Sequence, residues 1–113
     1  MSMPPLLRTA YLAELVAADN AGQLGDDVRC FRHLERAHIL SQRHTLAHTW
    51  THLRMLHTGW RRRDAREVFG QVLRSIAALA KSMIWVPLGN TGGANVNPFK
   101  PMPVPPDLRL FLE

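Results

Sequence analysis

No proline interrupts the chain between Leu6 and Val86, so helices are unobstructed over that stretch. Apolar residues recur there at three- and four-residue spacing, the period of amphipathic helices. Gly22, Gly25, Gly59 and Gly70 punctuate the run, and four helices are predicted. The first spans about Leu6 to Ala21, with Leu12, Leu15 and Val16 on its apolar stripe and Gly22 at its end. The turn Gln23-Leu24-Gly25 leads to Asp26 or Asp27, either of which can cap a second helix reaching about Gln42. At about 100° per residue, Cys30, Phe31, Leu34, Ala37 and His38 share one face of that helix. The third runs from about Thr45 to His57, with Leu46, Trp50, Leu53 and Leu56 as its stripe, and Gly59 stops it. The fourth starts at Asp64, where Asp64-Ala65-Arg66-Glu67 has the spacing of a capping box. Val68, Phe69, Val72, Leu73, Ile76, Leu79 and Ala80 form its apolar face up to about Met83.

The pattern then changes. Six of the eight prolines lie between Pro87 and Pro106. Leu88-Gly89-Asn90-Thr91-Gly92-Gly93-Ala94-Asn95 is turn chemistry throughout. From Pro98 to Pro106 prolines alternate with Phe99, Met102 and Val104, which favours an extended path laid over the helices. Leu108, Leu110, Phe111 and Leu112 offer a last apolar clasp, here or on a neighbouring subunit. The expected fold is all-α: a helical domain over 1–86, built as two hairpins, with an irregular Gly/Pro-rich tail over 87–113 packed on it.

The hairpins look like degenerate copies of each other. Gly25 is followed by Cys30, Leu34 and Ala37, and Gly59 by Ala65, Phe69 and Val72. The 34 residues between Gly25 and Gly59 match the period of a tetratricopeptide repeat. That repeat's characteristic Trp and Tyr positions are absent, so the resemblance is to its helical hairpins alone. Two such repeats leave apolar surface open, which the tail or a second subunit must cover. A dimer is therefore expected.

With 113 residues the chain makes one domain. Its single cysteine, Cys30, excludes an internal disulfide and any CxxC zinc site. The start, through Glu14, has no signal-peptide pattern, and the most apolar run, Val72 to Leu88, is broken by Arg74 and Lys81. A soluble, cytoplasmic protein without membrane contact is the expectation. The net charge of +5 is uneven. Residues 29–66 carry nine arginines against Glu35 and Asp64, whereas residues 1–28 are net acidic. A basic middle is compatible with nucleic acid. The simpler reading is a solvated arginine face paired with acids on neighbouring helices.

All six histidines fall between His33 and His57. His44, His48 and His52 are spaced i, i+4, i+8 and share a flank of the third helix away from its apolar stripe. Imidazoles four apart on a helix can chelate a metal. His38 sits at the centre of the apolar face of the second helix, with Glu35 one turn before it. The resulting candidate is a site of His38, His48 and His52, with His44 or Glu35 as a further ligand. Neutral imidazoles suit zinc, copper, nickel or iron. Too few acids remain for a di-iron site. The alternative is a set of core histidines hydrogen-bonded to threonines and backbone carbonyls. The separation of the ring nitrogens decides between the two. His33 and His57 read as solvated or capping residues.

Other candidates are weaker. Cys30 lies on an apolar helix face, where a thiol is usually inert. The loop Asn90, Thr91, Gly92, Gly93, Ala94, Asn95 can cradle an anion with backbone N–H groups, but no Walker or dinucleotide pattern accompanies it. A tight turn packed on the helices is the preferred reading. Arg54, Trp60, Arg61, Arg62 and Arg63 can line a groove for an acidic peptide or phosphates; otherwise the arginines pair with acids and Trp60 plugs a corner.

Four separated strings carry a family resemblance. They are His33-Leu34-Glu35-Arg36-Ala37-His38, Gly59 through Val68, Gly89 through Val96, and Pro101 through Leu108. Together they resemble a small bacterial family catalogued as domain of unknown function 3703. The resemblance implies a short bacterial protein and assigns no catalytic residue. The leading functional expectation is a non-enzymatic module that offers its helical groove to a protein or peptide partner. A metal-binding protein built on the histidines comes second and nucleic-acid binding third. An enzyme comes last, since no paired acid and base with a substrate loop is visible.

Overall fold

The computed structural model describes residues 3–81, 89–97 and 100–113 of the chain, with side chains described as far as Ala77 in the fourth helix. Five helices follow in order: α1 (Pro5–Gln23), α2 (Asp27–Ser41), α3 (Thr45–Arg61), α4 (Ala65–Lys81) and α5 (Pro106–Leu112). The architecture is all-α. α1 packs on α2, α3 on α4, and α2 on α3, while α5 lies against α1 and α2. The predicted end of α4 at Met83, residues up to Leu88, and Pro98 and Phe99 lie outside the described residues, as do the side chains of Leu79 and Ala80.

The two hairpin turns are the same device. In the first, Asp26 N–H donates back to Ala21 O (2.9 Å) and Gly25 N–H to Gly22 O (3.0 Å). In the second, Asp64 N–H donates to Gly59 O (2.9 Å) and Arg63 N–H to Trp60 O (3.0 Å). Each is a Schellman ending, which needs a left-handed residue. Gly25 (φ 77°) supplies it once and Arg63 (φ 55°) supplies it again. The next residue then caps the following helix: Asp26 Oδ1 accepts from Arg29 N (3.1 Å) and Asp64 Oδ1 from Glu67 N (3.0 Å). Gly25 therefore corresponds to Arg63, and the pairing of Gly25 with Gly59 is corrected. Gly59 does not stop α3 but sits buried inside it. A methyl there would lie 3.2 Å from the side chain of Glu67, so its smallness lets α3 and α4 approach.

The hydrophobic core belongs to the first hairpin. Leu7, Tyr11, Leu15, Ala18 and Ala21 of α1 meet Cys30, Leu34, Ala37, Ile39 and Leu40 of α2. Met55 joins from α3 and Leu108 from α5. The apolar clasp at the end of the tail takes the form of a short helix, α5, with Leu108 in the core and Phe111 and Leu112 packed against it. Pro106 suits the first turn of a helix, and Asp107 there pairs with Arg36 of α2. Leu12 and Val16 face outward, so the buried stripe of α1 is rotated towards Tyr11 and Ala18.

The second hairpin is inverted relative to the expected stripes. α3 buries His48, Thr51, His52, Met55, Thr58 and Gly59 and leaves Leu46 81%, Trp50 51% and Leu53 43% exposed. α4 buries Glu67, Gln71 and Ser75 and exposes Phe69, Val72, Leu73 and Ile76. Helical periodicity groups residues on a face. Which face turns inward depends on what that face can bind, and here His52, Glu67 and Gln71 find partners inside.

Candidate metal centre

Three buried histidines meet where α2 crosses α3. His38 comes from α2 and His48 and His52 from successive turns of α3, each at most 8% exposed. His48 Nε2 lies 2.9 Å from His38 Nε2 and 3.1 Å from His52 Nε2. The ring centroids are 4.6 to 4.8 Å apart. One nitrogen from each ring falls within 4.8 Å of the others.

The outer nitrogens fix the tautomers. His38 Nδ1 lies 2.7 Å from Asn90 O, a carbonyl that can only accept, so Nδ1 carries the proton. His52 Nδ1 lies 2.6 Å from Gln71 Oε1. The orientation of that amide is set at its other end, where Gln71 Nε2 donates to Gly92 O (2.9 Å) and towards Glu67 Oε2 (3.5 Å). Gln71 Oε1 is thus an acceptor, and His52 Nδ1 donates to it. In their neutral forms both rings turn an Nε2 lone pair towards His48. Burial, and then the neighbouring rings of His52 and His48, hold the His38 pKa well below the ordinary histidine value. The neutral imidazole is the form that binds metals.

The glycine-rich loop closes the cluster. Asn90 is fully buried and organises it: Oδ1 accepts from Gly92 N (2.9 Å), and Nδ2 donates to Asn97 O (2.7 Å) and Lys100 O (2.8 Å). Gly92 (φ 81°) lies so close to His38 that a methyl would sit 2.5 to 2.7 Å from the ring. Arg74 Nη1 donates to the carbonyls of Gly92 and Gly93, and Nη2 to Val96 O. Glu67 accepts from Ala94 N (2.7 Å). The loop is a packed turn across α2 and α4.

A model of a family described as a protein of unknown function (DUF3703) matches residues 6–112. The chain belongs to this family. The matched stretch contains both hairpins, the loop over 89–97 and all three clustered histidines. No curated protein and no solved structure matches the chain.

Other residues singled out by sequence lie elsewhere. His44 stands at the N-cap of α3 without a capping bond from its side chain. Among the described residues neither it nor Glu35 joins the three-histidine group. Glu35 instead borders a charged cavity of about 360 Å³, together with Arg32, Arg62, Arg66 and Glu67. Burial, then the charge of Glu67, raises its carboxyl pKa. His33 Nδ1 is held by Glu14 Oε1 (2.8 Å). Arg54 pairs with Asp19, and Arg61 with Asp27 (2.5 Å). Trp60, Arg62 and Arg63 are exposed, so Trp60 plugs no corner. Asn95 is exposed at the outer edge of the loop, and Thr91 is half-buried.

Sequence reasoning missed Glu67, Gln71 and Arg74. Their spacing along α4, four and then three residues, was a readable signal, because a polar stripe can face inward when buried groups need partners. No described helix is long and apolar enough to cross a membrane.

Proposed function

We propose that this protein binds one transition-metal cation through Nε2 of His38, His48 and His52. The convergence of the three nitrogens carries this reading. Bonds of about 2.0–2.1 Å to a tetrahedral zinc ion set neighbouring ligand nitrogens roughly 3.3 Å apart, close to the 2.9 and 3.1 Å separations here. Asn90 O and Gln71 Oε1 act as the outer partners that orient metal-bound imidazoles. Three neutral nitrogen donors suit a borderline cation such as zinc, copper or nickel, and the fourth position is left to water or an exogenous ligand. In this role the ion ties α2 to α3 beneath the loop.

Zinc titrated into protein purified without a histidine tag is expected to bind once per chain and to raise the melting temperature. His48→Ala and His52→Ala are expected to lose both effects with helix content retained. No bound metal, with a melting temperature unmoved by zinc, copper or nickel, would overturn the reading.

A second reading, a protein-interaction role, is favoured by the exposed apolar face of α3 and α4. Of the residues expected to line a groove on the third helix, Arg54 and Arg61 are engaged with Asp19 and Asp27, which directs attention to the apolar face. Nucleic-acid binding is less favoured, because Arg36, Arg54, Arg61 and Arg74 are engaged within the chain.

A further inference from the structure

The second hairpin turns its apolar side to solvent. Trp60 is 70% exposed, Phe69 67%, Leu73 52% and Ile76 65%, and Val72 is 42% exposed. Trp60, Val68, Phe69 and Val72 also line an open trough of about 530 Å³, large enough for an incoming aromatic or branched side chain. Monomers rarely leave such a continuous patch uncovered.

We propose that this face is the interface of a symmetric homodimer, in which Trp60, Phe69, Val72, Leu73 and Ile76 of one copy pack against the same residues of a second. Three observations choose a second copy as the occupant. The first is area. The five exposed side chains present roughly 600 Å² per copy, so a pair buries about 1,200 Å², the lower bound for a stable interface. The second is charge. The outward positions from Phe69 to Ile76 carry none, and the one charged residue in that interval, Arg74, is bonded inward to three carbonyls. A two-fold axis sets a surface against itself, so like charges at its centre would repel. Here the exposed arginines stand at one end of the face, in the segment that leads into α4: Arg63, which also lines the trough, and Arg66. The third is shape, since the same face offers both the trough and the projecting Phe69 and Ile76 to fill its mate. The proposal is independent of metal binding, whose residues lie on buried faces of α2 and α3.

Sedimentation equilibrium of the full chain is expected to give twice the 12.8 kDa chain mass at tens of micromolar concentration. Phe69→Glu combined with Ile76→Glu is expected to weaken association at least a hundredfold while keeping helix content and bound zinc. Val16→Glu, on the exposed side of α1, is expected to leave the dimer intact. A single-chain mass for the wild type, or a dimer indifferent to the double substitution, would overturn the proposal. If the double variant does not fold, Leu73→Cys decides. Oxidation is expected to link two chains through that position, and failure to cross-link would overturn the proposal equally. Loss of the dimer with zinc retained bears on this interface alone, and loss of zinc from an intact dimer bears on the metal site alone.

Discussion

The two hairpins share a turn and differ in everything the turn joins. Gly25-Asp26 and Arg63-Asp64 end one helix and cap the next with the same set of backbone bonds. Beyond those turns, α1 and α2 bury Leu7, Leu15, Leu34 and Leu40. α3 and α4 bury His48, His52, Glu67, Gln71 and Ser75 and expose Leu46, Trp50, Phe69, Leu73 and Ile76. Identical local instructions therefore permit opposite interiors. A non-directional apolar interior tolerates approximate packing, whereas the polar interior holds together only if nearly every donor meets an acceptor.

That contrast can be broken experimentally, and the largest effect belongs to the apolar hairpin. Leu34→Ala empties a fully buried site and is expected to cost about 2–5 kcal/mol in chemical denaturation, with or without zinc. An equal loss from Leu46→Ala, at a residue 81% exposed, would contradict the outward placement of that stripe.

Acid should find the seam between the hairpins, where His38 of α2 faces His48 of α3. His38 has its pKa depressed by burial and by the adjacent rings. The unfolded chain therefore takes up protons before the folded one does. The associated stability is fully present above the unfolded value of about 6.5, and each pH unit below it removes up to about 1.4 kcal/mol per such histidine until the folded pKa is reached. Between pH 7 and pH 5 in metal-free protein, hydrogen-exchange protection relative to the intrinsic amide rate at each pH is expected to fall first where α2 and α3 meet the loop. An equal loss of protection across α1 would dissolve the distinction between the hairpins.

Smaller effects come from the loop and the turns. Gly92→Ala strains a left-handed backbone and presses on His38, so it is expected to cost about 1–3 kcal/mol and to lower zinc affinity. The caps sharpen the comparison from the side of similarity. Asp26→Ala and Asp64→Ala are each expected to cost about 1 kcal/mol, and grossly unequal values would show that the turns are alike in shape only. Smallest of all, Arg63→Gly relieves a left-handed non-glycine residue and is expected to stabilise by up to about 1 kcal/mol.

The helices themselves were legible in the sequence because periodicity, glycines and capping aspartates are local signals. So were the three histidines, since i, i+4 spacing on α3 and a histidine centred on the α2 face survive any choice of packing. The direction in which α3 and α4 face was not legible. Leu46, Trp50 and Leu53 make a better apolar stripe than anything opposite them, but the polar side turns inward, where His52 meets Gln71 and a loop far along the chain supplies partners for Gln71 and Glu67. The contributions of Asn90 and Gly92 to the histidine cluster were hidden for the same reason. Sequence separation gives no hint that residue 90 orients residue 38.

That separation sets an order in time. His38, His48 and His52 leave the ribosome within a short interval, but the carbonyl that orients His38 belongs to a residue made 52 positions later. During synthesis the first hairpin can form its core while the histidine cluster still stands open to solvent and to any cation at hand. The segment over 89–97 can cover the cluster only once it has been made, so the site is completed after the helices that carry its histidines.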